Sequence, residues 1–233
     1  CIRDSYADYE QLVGGVDTLF KSASGTVQQY ASNAFQTAGM SANNYMNLAT
    51  SFSASMISSL GGDTAAAAKQ VDLAITDMAD NSNKMGTSLE DIQNAYRGFS
   101  MQNYTMLDNL KLGYGGTKEE MQRLLSDAQK LTGTKYDIDN LADVYNAIHA
   151  IQENLGVTGT TAKEASETFS GSFSAMKAAA QNLLGNMAIG GDVTGSMKEL
   201  VSTASTFLLD NAIPMVGRVI TSLPEAIQTG LQT

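Results

Sequence analysis

A chain of 233 residues with 43% hydrophobic content is long enough to bury a substantial core, as one large domain or two smaller ones. Its formal charge of -10, with only 14 Lys plus Arg and none of them in runs, excludes a nucleic-acid surface built on clustered phosphate contacts. A single cysteine, at position 1, excludes an internal disulfide framework.

The N-terminal stretch, with Arg3, Asp4, Asp8 and Glu10, reads as a charged helix. Cys1 in place of an initiator Met reads as the boundary of a fragment cut from a longer chain, in preference to the lipid-bearing cysteine of a lipoprotein. The start lacks the basic, apolar and small-residue succession of a signal peptide. No uninterrupted apolar run approaches the ~20 residues of a bilayer-spanning helix.

Along the chain, helical punctuation recurs in one form: a glycine, then Ser or Thr, then Glu or Gln three residues beyond the hydroxyl. It occurs at Gly25 with Thr26 and Gln29, at Gly86 with Thr87 and Glu90, at Gly116 with Thr117 and Glu120, and at Gly195 with Ser196 and Glu199. Gly159 with Thr161 and Glu164 is a close variant. The pattern predicts short corners in which glycine ends one helix in the left-handed region and the hydroxyl caps the next. An aromatic residue stands ten positions after three of these glycines, at Phe35, Tyr96 and Phe169. Helix starts share these residue types, so this echo does not define a repeat.

Between corners the apolar spacing is close to 3.6. Tyr45, Leu48, Ala49, Phe52 and Met56 fall on one face, as do Leu89, Ile92, Tyr96 and Phe99, and Ile138, Leu141, Tyr145, Ile148 and Leu155. Residues 63–79, with Ala65 to Ala68, Val71, Ile75 and Met78, predict a close-packing helix. Residues 161–188, carrying Phe169, Phe173, Met176, Leu183 and Leu184, predict one long helix. No stretch alternates with period two for long enough to form a strand. The expected fold is all-α, a multi-helix domain of antiparallel amphipathic helices over 1–190, followed by an apolar helical segment over 191–233.

The segment from Gly98 to Leu125 reads as a hinge between two of these helices. Tyr104, Met106, Leu107, Leu110, Leu112 and Tyr114 crowd apolar groups ahead of Gly113, Gly115 and Gly116, where the backbone must turn sharply or admit a close neighbour. Thr117 and Glu120 predict a reciprocal capping box. A phosphate-binding loop shares residue types with Gly113, Gly115, Gly116, Thr117 and Lys118, but it requires Lys before the hydroxyl residue and a strand before the glycines. Both conditions fail here.

Residues able to carry chemistry are few. His149 and Glu153 share a helix face four apart, as zinc ligands sometimes do, yet no second ligand cluster accompanies them. Met46, Met56, Met78, Met106, Met121 and Met176 are scattered at core spacing and read as core filling, not as soft ligands or a peptide-binding surface. Glu119 with Glu120, and Asp137 with Asp139, are expected in first helical turns, where they complement the dipole. No nucleophile stands beside a base. The chain reads as a non-enzyme with no catalytic, cofactor or metal site.

Beyond Gly190 the character changes. Gly190, Gly191 and Gly195 loosen the chain, and an apolar region from Leu200 to Ile227 is broken by Pro214 and Pro224 and interrupted by Asp210 and Arg218. A hairpin of amphipathic helices packed on the body is the plainer reading. Membrane contact through 200–233 is the sharper one, weakened by a polar face poor in Lys and Arg.

The wording NAYRGFSMQNYTMLDNLKLGYGGTKEEMQRLLSDAQKLTG resembles the most characteristic segment of tail tape measure proteins from long-tailed phages and prophages of Gram-positive bacteria. The likeness extends from YEQLVGGVDTLF, starting at Tyr9, through SANNYMNLATSFSASMISSLGGDTAAAAKQVDLAITDMADNSNKMGTS and on to YDIDNLADVYNAIHAIQENLGVTGTTAKEASETFSGSFSAMKAAAQNLL, and weakens after about Gly190. The resemblance implies a long helical protein of the tail lumen, assembled in the host cytoplasm, that sets tail length and leaves with or ahead of the DNA. It implies contacts with tail tube protein, tail assembly chaperones and baseplate proteins. A homo-oligomer is a further expectation, and direct nucleic-acid binding by this segment is not expected. Some members carry peptidoglycan hydrolase domains, whose residues are missing from this sequence. The alternative from another class is a secreted or surface-anchored helical binding module.

Overall fold

A computed structural model describes residues 2–216 and 218. Among them the fold is all-α, with no strand. The α-helices in chain order are α1 (Ile2–Phe20), α2 (Ser24–Thr37), α3 (Ala42–Ser59), α4 (Thr64–Met85), α5 (Leu89–Ser100), α6 (Lys118–Thr132), α7 (Leu141–Asn154), α8 (Thr160–Glu167), α9 (Phe169–Ile189) and α10 (Val193–Ser205). A π-helical segment, Thr206–Ala212, continues α10. The expectations for Cys1 and for residues 219–233 lie outside the described residues.

Helix α4 is the axis of the fold. Its run of small residues, with Ala67, Ala68, Ala74 and Ala79 buried beside Val71, Ile75 and Met78, lets neighbouring backbones approach closely. It packs on α1, α2, α3, α5, α7 and α8. The apolar stripes read from the sequence of α3, α5 and α7 meet in an aromatic cluster. Tyr145 packs against Tyr96 at 4.9 Å and edge-on to Phe52 at 5.9 Å, and Phe99 bridges Tyr96 to Tyr104. Met46, Met56, Met78 and Met121 fill the core as expected, whereas Met106 is exposed. Leu155 is exposed too, because α7 ends at Asn154 and the chain turns at Gly156 before the stripe is completed.

Several corners differ from the capping pattern. The first bend precedes Gly25: α1 ends at Phe20, a 3-10 turn follows, and Lys21 (φ 51°) takes the left-handed position. The apolar spacing of Val16, Phe20, Ala23 and Val27 runs straight through that bend, and Asp17, Ser24 and Gln28 are hydrogen-bonded across it, so Gly25 lies inside the first turn of α2. At the next corner Gly86 (φ 68°) does end α4, but the cap of α5 is Ser88, accepting from Asp91 N. Thr87 is drawn off to donate to Asn109 O at 2.9 Å. Gly190, not Gly195, ends α9, and Asp192 caps α10 by accepting from Gly195 N, which leaves Ser196 buried against Asn186.

The long helix expected over 161–188 is two. Thr168 adopts extended backbone (φ -118°, ψ 150°), and its hydroxyl caps α9 by accepting from Gly171 N. The bend is so tight that a Cβ on Gly171 would sit 2.2 Å from Glu164 O. Asp137 and Asp139 precede α7 and lie outside its first turn, because Asn140 is its cap. Asp137 N donates to Asp143 and Asp139 N to Asp137, which closes the loop.

Helix α9 packs its small residues Ala175, Ala178 and Ala179 toward α1, α2 and α3, with Phe35 of α2 in a satellite cluster beside the main core. Helix α10 packs on α9.

Candidate functional site: a buried polar layer and a pinned loop

The C-terminal half of α4 turns polar without leaving the interior: Asp77, Asp80 and Asn81 are at most 1% exposed. Together they tie α4 to α7, to the start of α8 and to the loop before α6. His149 of α7 donates from Nδ1 to both Asp77 carboxylate oxygens, at 2.9 and 3.1 Å. Asp80 accepts Gly159 N at 2.6 Å and Thr161 N at 2.8 Å, and so caps α8 from a distant part of the chain. Asn81 Nδ2 donates to Leu110 O at 3.0 Å and to Gln152 Oε1 at 2.9 Å. Asn81 Oδ1 and Gln152 Nε2 are left without a hydrogen-bond partner, but an unpaired buried donor or acceptor is costly, so the bonds that these three side chains do make favour one angular position of α4 against α7, α8 and the loop before α6.

Burial pushes the Asp77 carboxyl up to about 6, with the His149 contact opposing that rise. The hydrogen bond to Asp77 raises the His149 imidazole, and Glu153 and Asp80 add to it. A histidine oriented by a carboxylate is half of a nucleophilic triad. Among the described residues, however, the hydrogen bonds of the His149 ring all run from Nδ1 to Asp77, and no hydroxyl or thiol completes the set. The pair that the sequence offers, His149 with Glu153, is therefore secondary to an interhelical pair with Asp77. No group of three or more His, Cys, Asp or Glu among the described residues could hold a metal ion.

The loop from Met101 to Thr117 is pinned at almost every residue. Tyr104 donates to Ile138 O at 3.1 Å, Leu107 and Leu110 are buried, and Lys111 Nζ donates to Met85 O at the end of α4. The glycines serve both expected purposes. Gly113 (φ 88°) makes a turn, and Gly116 admits a close neighbour, since a Cβ there would lie 2.2 Å from Thr105 O. The capping box is half formed. Thr117 accepts from Glu120 N at 3.2 Å, but its own N–H is engaged with Gly115 O. The Glu120 carboxylate turns to Gly115 N at 3.0 Å and to Arg123 at 2.6 Å. Arg123 and the Gly115 amide hold the Glu120 carboxyl down at about 2. Arg123 also donates to Gly113 O and lies 4.3 Å over the Tyr114 ring. The glycine turn is thus filled by its own side chains, where a phosphate-binding loop would present free amides.

A groove of about 610 Å³ separates the start of α3 from α9 and α10, and is lined by Tyr9, Gln28, Asn44, Gln181, Asn186 and Glu199 among others. Burial, and then Asp192, raise the Glu199 carboxyl. The groove can offer amide and hydroxyl hydrogen bonds, and no lysine or arginine lines it.

Compared with known proteins, the chain matches no family model, no curated protein and no solved structure.

Proposed function

We infer that this chain is a structural segment of a tail tape measure protein, acting in tail length determination, tail assembly and DNA ejection rather than in catalysis. The observation that carries the reading is the segment NAYRGFSMQNYTMLDNLKLGYGGTKEEMQRLL, where the resemblance is most specific. Its unusual residues each serve the corner they build, with Tyr104 reaching Ile138 O, Gly116 making room for Thr105 O, and Arg123 closing the glycine turn. A non-repetitive wording of this kind is what a uniquely pinned corner requires. An acidic, all-α chain is also consistent with a protein that shares a space with DNA without gripping it. On this reading the chain resides in the tail lumen of the virion, passes through the host cytoplasm during assembly, and meets tube protein, assembly chaperones and baseplate proteins. Mass spectrometry of purified tails tests it: peptides of this chain are expected in tail particles, and deletion of the parent gene is expected to abolish tails of normal length. Peptides found only in the cell envelope, with tails unaffected by the deletion, would overturn the reading in favour of a surface-anchored binding module.

A further inference from the structure

The geometry points to a binding site for a single water molecule inside the polar layer, bridging Asn81 of α4, Tyr96 of α5 and Gln152 of α7. These three side chains are at most 1% exposed, and each carries an atom that no protein group satisfies: Asn81 Oδ1, the Tyr96 hydroxyl and Gln152 Nε2. Asn81 and Gln152 share one hydrogen bond, from Nδ2 to Oε1 at 2.9 Å, so the two free amide atoms flank a contact already made. Turning either amide over does not pair them. Asn81 Nδ2 also donates to Leu110 O at 3.0 Å, and a reversed Asn81 would set its oxygen against two acceptors. A reversed Gln152 would set its nitrogen against Asn81 Nδ2, donor against donor.

Tyr96 reaches the same place from α5. Burial, then the charges of Asp77 and Tyr145, push its hydroxyl up, and Gln152 opposes that rise without completing a hydrogen bond. The hydroxyl therefore keeps its proton and stands beside the Gln152 amide. Nearby donors are committed elsewhere, Tyr145 to Tyr96 O at 2.8 Å and His149 Nδ1 to Asp77. The donor and acceptor complement then selects the ligand. Asn81 Oδ1 only accepts, Gln152 Nε2 only donates, and the tyrosine hydroxyl does either. A cation would suit the two oxygens but meet the Gln152 amide hydrogens head-on. An anion would face Asn81 Oδ1, with the Asp80 carboxylate on the neighbouring residue. Water accepts from Gln152, donates to Asn81 and takes Tyr96 as its third partner, and about three partners is usual for a buried water. Leaving buried groups unpaired costs more than immobilising one water. The bridge adds α5 to the elements that the polar layer holds against α4.

The test is NMR of the full chain labelled with 15N, reading cross-peaks between the water resonance and the Gln152 side-chain amide. A cross-peak with the sign of a long-lived contact is expected in the parent chain. It should persist in Tyr96→Phe, where the tyrosine hydroxyl can no longer relay magnetisation from solvent. Tyr96→Phe should also lower the melting temperature by ~2–4 °C, because the water loses one partner. A crystal structure should show a density peak within ~3.2 Å of all three atoms. Absence of the cross-peak in the parent chain overturns the proposal. So does a cross-peak that vanishes in Tyr96→Phe, or density in which Gln152, Tyr96 and Asn81 bond to one another directly. A melting temperature that rises in Tyr96→Phe would show that the hydroxyl had no partner to lose, and one that shifts when sodium chloride is replaced by choline chloride would make the ligand a cation; either result overturns it.

Discussion

Replacing Asp80 with Ala isolates the contribution of the buried polar layer, because the same chemistry occurs at an exposed site in the same helix. Asp63 accepts Ala65 N and Ala66 N at the exposed start of α4, and Asp80 accepts Gly159 N and Thr161 N in the interior. At the exposed cap, water replaces the lost acceptor, and Asp63→Ala is expected to cost ~1 kcal/mol. At Asp80 the acceptor is fully buried while its donors, Gly159 N and Thr161 N, sit on an exposed and a half-buried residue, so the two amides regain water only in part, at ~1–3 kcal/mol each, partly offset by no longer desolvating a carboxylate. The expected net loss is about 3 kcal/mol. For a chain of this size that lowers the melting temperature by ~6–12 °C, against ~2–4 °C for Asp63→Ala. Asp80→Asn should recover little, since its amide nitrogen would face one of the two N–H groups. Urea denaturation supplies the free energies, and hydrogen exchange should show α8 deprotected first. A loss at Asp80 no larger than that at Asp63 would refute the claim that buried capping organises this half of the molecule.

Gly116→Ala should destabilise by ~1–3 kcal/mol or more, because the new methyl meets backbone at 2.2 Å, while Gly115→Ala, whose nearest contact is the Glu120 side chain at 3.5 Å, should change stability by no more than ~1 kcal/mol. Thermal denaturation of the two variants decides the matter, and equal losses would remove the close approach as the reason for glycine at 116. Stability should also fall as pH rises, first from about 4 through 6 as Asp77 ionises and then above 6.5 as His149 loses its proton. The Asp77 carboxyl is raised to about 6, so its favourable proton uptake is fully present below its unfolded value near 3.8 and is lost as pH rises through 6. The raised His149 imidazole contributes stability that is likewise present below its unfolded value near 6.5 and lost as pH climbs through its folded value. Glu120, held at about 2, acts in the opposite sense, giving stability above about 4.5 that is lost as pH falls toward 2, so the optimum should be mildly acidic. A pH series of melting temperatures should lose its downward slope above pH 6 in the double variant Asp77→Asn with His149→Gln. An unchanged slope would mean that other groups carry it.

Period and punctuation carry the fold class, because both are local. The stripes on α3, α5 and α7 are set by 3.6-residue spacing, and the turn at Gly86 by the left-handed preference of glycine. Sequence and structure part where a distant residue takes over a local role. Thr161 has the position of a cap, yet Asp80 does the capping; Thr87 has it too, yet Asn109 O claims its hydroxyl. The polar layer itself gives no signal, since Asp77, Asp80 and Asn81 on a helix read as a solvated face until α7, α8 and the 101–117 loop close over them. His149 stands out in the sequence, but its partner lies 72 residues away, and no spacing rule reaches that far. The break at Thr168 is legible in Thr168 followed by Gly171, a capping hydroxyl with a glycine amide three residues on, inside an otherwise helical run.

The same polar layer bears on how a segment of this kind could belong to a ruler. As a single extended helix, 233 residues would rise ~350 Å, whereas a globule of this length has a radius of gyration near ~17 Å. The two states cannot be reached from one another by sliding. Straightening the chain exposes the aromatic cluster of Tyr96, Tyr145, Phe52 and Phe99, and it also strips Asp80 from the α8 amides and Asp77 from His149. These losses come together because α4 carries Asp77 and Asp80 and packs on α3, α5 and α7, which carry the rings, so the transition should be cooperative and resist partial stretching. Domains of this kind have net stabilities of ~5–15 kcal/mol, and that free energy would have to come from elsewhere if the segment were ever drawn out. On the tape-measure reading proposed above, length would then be measured by stretches whose helices lack internal corners, and this segment would travel with them as a folded body.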